Sequence, residues 1–188
     1  TKEIEMEPSK HMETIMKAKD LDRILSRFAY EILERFKDRD NLAIIGIQTG
    51  GADLARRLVA KLGKLENREF DLGILDITLY RDDLALEKNQ PVVRKTDIPF
   101  KISGKEIILV DDVLYTGRTV RAALDAIIDF GRPKFIALAV IVDRGLREFP
   151  IRPDFIGKTI QTQPDQKVEV NLVEEDNTVD QVILKKGE

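Results

Sequence analysis

The chain has 188 residues, 43% of them hydrophobic and 35% charged, with a net charge of −3. That length suits one domain able to bury a sizeable core. With no cysteine and a single histidine, His11, the sequence excludes a disulfide framework, zinc–thiolate sites and a cysteine nucleophile, and it argues against histidine-dependent catalysis and multi-histidine metal sites.

No apolar run approaches a membrane span and the N-terminus carries no signal-peptide pattern, so a cytoplasmic protein is expected. The step His11-Met12 reads as a junction, with residues 1–11 outside the native domain. The domain reading is an N-terminal extension over 1–14 and one domain over 15–188. Mild overall acidity neither demands nor excludes nucleic acid, since a local basic face can coexist with it.

In chain order, residues 20–38 predict the first helix. Asp20 stands at its start, and Leu21, Ile24, Leu25, Phe28, Ile32 and Phe36 form its apolar stripe. Leu42 to Ile47 predicts a buried strand, broken by Thr49-Gly50-Gly51. A helix is predicted from Ala52 to Leu62, ending near Gly63, and a strand from Leu72 to Tyr80. Arg81 to Lys95 is polar and aperiodic, a mobile loop. Pro99 to Ile102 predicts a short strand that turns at Ser103-Gly104. Ile107 to Val110 predicts a buried strand, Val120 to Phe130 a helix closed by Gly131-Arg132-Pro133, and Phe135 to Val142 another buried strand. Shorter strands fill Asp154 to Leu184. This alternation implies an α/β domain with a mainly parallel sheet. Ligands of such sheets sit beyond the strand C-termini. Thr49–Gly51, Asp111–Thr119 and Asp143–Arg147 should therefore line one crevice.

The richest stretch is Ile107-Ile108-Leu109-Val110-Asp111-Asp112-Val113-Leu114-Tyr115-Thr116-Gly117-Arg118-Thr119. An apolar strand meets two carboxylates, then a hydroxyl-rich turn, then a helix. Backbone N–H groups of the turn and the positive helix end can hold a phosphate. The carboxylates can accept from sugar hydroxyls or sit near a hard metal ion. A phosphorylated sugar satisfies both. Nucleotide hydrolases also end a strand in acids, but they need a Gly-Lys-Ser/Thr phosphate loop, which this chain lacks. A purely structural acid pair would not explain Thr-Gly-x-Thr.

The stretch resembles the phosphoribosyl-diphosphate (PRPP) motif of type I phosphoribosyltransferases. Further stretches carry a closer likeness: Asp76-Ile77-Thr78-Leu79-Tyr80-Arg81-Asp82-Asp83-Leu84, Gly131-Arg132-Pro133, and Val142-Asp143-Arg144-Gly145-Leu146-Arg147-Glu148-Phe149-Pro150-Ile151-Arg152. With them the sequence resembles the bacterial pyrimidine-operon attenuator and uracil phosphoribosyltransferase family (PyrR). That resemblance implies the type I fold, a mainly parallel sheet flanked by helices with a small hood. It implies synthesis of UMP from uracil and PRPP with Mg2+, binding of pyrimidine leader mRNA in response to UMP, UTP and PRPP, and a homodimer or homotetramer.

Roles then follow by position. Asp111 and Asp112 would accept from the ribose hydroxyls, with Mg2+ near them on PRPP. Val113, Leu114, Tyr115, Thr116, Gly117, Arg118 and Thr119 would surround the ribose 5-phosphate, and Thr49, Gly50 and Gly51 the diphosphate. Tyr80 and Arg81 would open the catalytic loop, placing Arg81 by the diphosphate. Val142, Asp143 and Arg144 would meet the base. Tyr115 stands where purine transferases carry Asp, which argues against a purine base. Ser26, Tyr30, Arg147, Arg152 and Lys158 match the family's RNA positions. Gln48-Thr49-Gly50-Gly51 departs from the usual Lys-Thr-Arg-Gly, Leu146 replaces a usual His, and Gln161-Thr162-Gln163 replaces Pro-Thr-Ser. These departures bear on catalytic rate and uracil affinity. Two alternatives stand beside this reading: a salvage phosphoribosyltransferase without RNA control, and a regulator that has lost catalysis.

Overall fold

The computed structural model describes residues 12–82, 95–176 and 179–186. The junction read at 1–11, with His11, and residues 83–94 of the loop expected over Arg81–Lys95 lie outside the described residues. The elements are β1 (Met12–Lys17), α1 (Ala18–Arg35), β2 (Leu42–Ile47), α2 (Gly50–Glu66), β3 (Asp71–Leu75), a 3-10 turn (Thr78–Tyr80), β4 (Glu106–Leu114), α3 (Arg118–Phe130), β5 (Phe135–Asp143), β6 (Phe155–Thr159), β7 (Gln166–Asn171), α4 (Val173–Asp176) and β8 (Gln181–Lys186).

Five strands pair in the order β3-β2-β4-β5-β6, parallel throughout. A parallel sheet must be covered on both faces, which is why its strands read as unbroken apolar runs. Alternate residues divide between the faces. Ile44, Ile108, Val110 and Ala139 pack towards α1 and α2. Ile45, Ile107, Leu109 and Val140 pack towards α3. The hood is a three-stranded antiparallel sheet, β1-β8-β7. Its Val168, Val170 and Val182 share the core under α1 and α2. Arg57 of α2 clamps the hood from outside. It donates to Asp180 at 2.6 and 2.8 Å and to Glu174 at 2.8 Å. Among the described residues, no helix is long and apolar enough to cross a membrane.

Four expectations are corrected. Helix α1 starts at Ala18, and Asp20 sits inside its first turn, where its carboxylate accepts the Lys17 N–H at 2.9 Å. The run before it, Met12–Lys17, is a strand because β8 pairs with it, a long-range cause that local pattern does not reveal. Helix α2 runs through Gly63 to Glu66 and ends at Asn67, whose φ of 50° closes it in the left-handed region. The strand expected to reach Tyr80 stops at Leu75, because the Asp76 carboxylate accepts the Thr78 N–H (2.9 Å) and hydroxyl (2.5 Å) and folds a turn. The short strand expected over Pro99–Ile102 does not form. Asp97 instead makes an isolated bridge with Ile74.

Candidate active site

Strand β4 is longer than its apolar run suggests. Its pairing with β2 ends at Val110, but its pairing with β5 continues through Leu114 and Asp143. The two carboxylates therefore lie within the last turn of pleat rather than after it, on a strand held from one side only. The opposite side is filled by the start of α2. A Cβ on Gly50 would stand 2.7 Å from Asp112 Oδ2, and one on Gly51 2.4 Å from the Val110 carbonyl oxygen. At Gly51 only backbone fits, because both neighbours are main-chain atoms of β4, whereas at Gly50 the neighbour is a side-chain tip. The Gln48–Thr49 peptide is cis.

Asp111 is buried, and burial together with the charge of Asp112 pushes its carboxyl well above the usual aspartate range. Burial raises Asp112 as well. Asp111 Oδ1 accepts the Asp112 N–H at 3.0 Å, and Asp112 Oδ1 accepts the Val113 N–H at 2.7 Å. Two acids forced this close favour a cation or hydroxyl donors beside them. Among the described residues no cluster of three or more His, Cys, Asp or Glu could hold a metal alone. The pair fits Mg2+, which is held by one or two carboxylates with substrate oxygens completing its shell.

Beyond Leu114 the chain turns. Gly117, with φ of 92°, is the N-cap of α3 and brings no side chain, while Thr116 Oγ1 accepts the Arg118 N–H at 3.3 Å. Thr116 anchors the turn, its carbonyl accepting the N–H groups of Glu148 (2.9 Å) and Phe149 (3.0 Å). The other first-turn N–H groups and the helix dipole face a cavity of about 390 Å³. Its walls are Arg81, Asp82, Asp111, the run Val113–Val120, and Glu148. The Arg118 side chain bridges its mouth, donating to Asp82 (2.6 Å) and Glu148 (2.7 Å). Thr49 lines a neighbouring cavity of about 490 Å³ with Gln48, Asp53, Arg56 and Glu174.

The other expected residues are placed differently from one another. Arg81 lines the cavity. Tyr80 turns to α3, its hydroxyl donating to Asp129 at 2.6 Å. Val142 is wholly buried and paired on both sides, with Val113 and Lys158, so it belongs to the core. The Asp143 carboxylate accepts from the Gly145 N–H (3.0 Å) and Arg147 Nη2 (2.7 Å). Arg144 is buried behind Tyr115, its guanidinium carbon 3.9 Å from the ring centroid. The residues expected to meet RNA divide as well. Ser26 and the exposed Tyr30 share a shallow groove with Lys61 and Lys64. Arg27 beside them donates to the Ile156 and Gly157 carbonyls, next to Lys158. Arg152 and Lys158 are exposed. Arg147 is committed inward, donating also to the carbonyls of Ile151 (2.9 Å) and Tyr115 (2.7 Å).

Sequence reasoning missed Asp82 and Glu148 as cavity walls. It also missed Lys61 and Lys64, whose i, i+3 spacing on an exposed face of α2 was the available signal.

The profile of the phosphoribosyl transferase domain matches residues 11–177. A relative named bifunctional protein PyrR in Deinococcus radiodurans is 56% identical over 165 residues, which is 88% of this chain and 90% of that protein. The protein of the same name in Listeria monocytogenes is 51% identical over 177 residues, covering 93% and 97%. The chain belongs to the phosphoribosyltransferase family, among its PyrR members. Solved structures agree on the fold. The Bacillus anthracis hypoxanthine-guanine phosphoribosyltransferase superposes with a TM-score of 0.69 at 18% identity, covering 94% of this chain and 99% of that one. The Trypanosoma cruzi hypoxanthine phosphoribosyltransferase gives 0.72 at 14% identity, covering 96% and 94%. The type I phosphoribosyltransferase fold, with its parallel sheet and hood, is thus the one expected of the motif.

Proposed function

We propose that this protein converts uracil and PRPP to UMP and diphosphate in the cytoplasm, and that it binds pyrimidine leader mRNA under the control of UMP, UTP and PRPP. The chain from β1 at Met12 onward acts as a single phosphoribosyltransferase domain, the boundary expected after residue 14 moving back because Met12–Thr14 pair with β8, and the working unit is a homodimer or homotetramer. The observation that carries the reading is the meeting of Asp111, from the acid pair, with the N-terminal turn of α3 in one cavity of about 390 Å³.

The uracil N1 displaces diphosphate at ribose C1, and the N1 proton is lost as the new bond forms. Asp111 and Asp112 accept from the ribose hydroxyls and hold the ring as positive charge develops on it. The N–H groups at Thr116–Thr119 hold the 5-phosphate, so C1 is presented in a fixed direction. The backbone of Thr49–Gly51 and the Arg81 guanidinium flank the departing diphosphate. Mg2+, when bound near Asp111 and Asp112, supplies charge that makes diphosphate a better leaving group. Tyr115 borders the base, with Asp143 and Arg144 of the strand end behind it.

The test measures turnover of uracil, hypoxanthine and guanine with PRPP and Mg2+. Faster turnover of a purine would refute the uracil reading. Leader RNA is titrated with and without UMP, against a scrambled control. Equal affinity for both RNAs, indifferent to UMP, would leave a transferase without RNA control. One observation favours that alternative, namely that Arg147 spends its donors internally.

A further inference from the structure

Arg144 is 5% exposed, yet among the described residues no carboxylate pairs with it. Its described partners are neutral: Nε donates to Thr162 Oγ1 at 3.0 Å, Nη2 donates to the Gln163 carbonyl at 3.2 Å, and the guanidinium lies against the Tyr115 ring at 3.9 Å. Thr162 is itself 7% exposed, and its hydroxyl also donates to the Arg144 carbonyl at 3.1 Å. One hydroxyl therefore holds both the backbone and the side chain of Arg144. The Arg144 N–H donates to the Leu114 carbonyl at 3.0 Å, which pins the same residue to the strand that carries Tyr115.

Of these residues, Tyr115 and its neighbour Leu114 line the cavity. Arg144 and Thr162 stand behind Tyr115, Thr162 brought there from the segment between β6 and β7. A ring left to itself would turn about its side-chain bonds. Here a buried cation contacts the ring and removes that freedom, the electrostatic attraction of guanidinium to the π face adding to the contact. An aromatic wall fixed before the ligand arrives spares the ordering cost at binding.

We propose that Thr162 is a positioning residue for the base: through Arg144 it fixes Tyr115 as the wall against which the pyrimidine ring is seated. This rests on the uracil transferase reading, but the positioning of Tyr115 is separately measurable. Thr162 touches no reacting atom. Its effect should therefore fall on affinity for the base and spare affinity for the sugar phosphate.

Three measurements on the full chain and its Thr162→Val and Thr162→Ser variants decide the matter. Steady-state rates are taken with uracil varied at saturating PRPP and with PRPP varied at saturating uracil. Thr162→Val should raise the uracil KM about tenfold, the effect of one lost buried hydrogen bond, and leave the PRPP KM unchanged. Thr162→Ser, which keeps the hydroxyl, should restore the wild-type value. Calorimetry should show weaker UMP binding by the Val variant and unaltered binding of ribose 5-phosphate. The chain has no Trp and three Tyr, so with Tyr30→Phe and Tyr80→Phe in place the emission belongs to Tyr115. Its anisotropy should fall in Thr162→Val and recover in Thr162→Ser.

Unchanged Tyr115 anisotropy in the Val variant would overturn the proposal, as would equal increases in both KM values or a Ser variant no better than Val. If the wild type turns over no uracil and binds no UMP, the transferase reading fails. The anisotropy of Tyr115 would still say whether Thr162 fixes the ring.

Discussion

Gly51→Ala adds one methyl group at the point where α2 meets the acid-bearing strand. The new Cβ would stand 2.4 Å from the Val110 carbonyl oxygen and 3.1 Å from the Asp111 Cα. Ordinary contact begins near 3.4 Å, so the two backbones must separate by about 1 Å. Both neighbours are backbone atoms of the ladder, and neither can swing aside. Overpacking of this kind costs about 3 kcal/mol, and the better helix propensity of Ala returns about 1 kcal/mol, leaving a net loss of about 2 kcal/mol. Displacing the diphosphate loop by about 1 Å from Asp111 should lower turnover about 100-fold. Gly50→Ala is the control. Its Cβ would meet the Asp112 carboxylate at 2.7 Å, the tip of a side chain that can rotate. Its stability should stay within about 1 kcal/mol of wild type. Urea denaturation of both variants gives the stabilities, and UMP formation from uracil and PRPP gives the rates. If Gly51→Ala matches wild type in both measures, the close approach of α2 to β4 is not what holds the site together.

Asp112→Asn turns a carboxylate acceptor into a partial donor, so calorimetry should show PRPP affinity falling about ten- to hundredfold. Unchanged affinity would place the sugar elsewhere. Hydrogen bonds from Arg57 hold the Glu174 and Asp180 carboxyls below their ordinary range. The unfolded chain then binds more protons in acid, so this contribution is fully present above the ordinary carboxylate range and is lost as pH falls through the lower folded values. Arg57→Met should cost about 1–2 kcal/mol at neutral pH, allowing for screening at half-exposed Glu174, and thermal melts from pH 7 to 3 should show its acid dependence flattened. Arg152→Gln should weaken leader RNA binding and reduce its salt slope by about one unit with activity intact. Arg147→Gln should lose stability and turnover as well, because it breaks the bonds to Asp143, Tyr115 and Ile151. Filter binding at several salt concentrations, beside a melt and an activity assay, separates the two.

The parts of the fold legible in sequence are those whose cause is local or periodic. Ile107–Val110 and Phe135–Val142 are unbroken apolar runs because both faces of a parallel strand are covered; the second is a strand within one residue of its expected bounds, whereas the first starts one residue earlier and runs four residues further, to Leu114. The stripe of α1 predicted its buried face, since Leu21, Ile24, Leu25, Phe28 and Ile32 are all buried. Met12–Lys17 was illegible because its strand exists through pairing with β8, far along the chain. Leu72–Tyr80 misled because its apolar content continues past the point where Asp76 captures Thr78 and bends the chain.

The site divides along a similar line. Asp111, Asp112 and Thr116–Thr119 lie in one continuous stretch, so strand, turn and helix place them together without help from elsewhere. Arg144, Arg147 and Arg152 look alike as letters, and sequence offers no means of ranking them. Structure separates them by what surrounds each guanidinium. Arg144 is buried against Tyr115, Arg147 is bound to Asp143 and two carbonyls, and Arg152 is exposed. The left-handed pair Gly145 (φ 73°) and Leu146 (φ 59°) turns the backbone between the first two. Two cations three residues apart can thereby serve opposite ends of one loop, Arg144 behind Tyr115 and Arg147 across the base of the turn. A loop built this way ties the cavity wall to the neighbouring surface, so occupancy of the cavity and the state of that surface need not be independent. Linkage then requires any ligand that steadies the loop to favour whatever binds the steadied surface, and by an equal free energy in return.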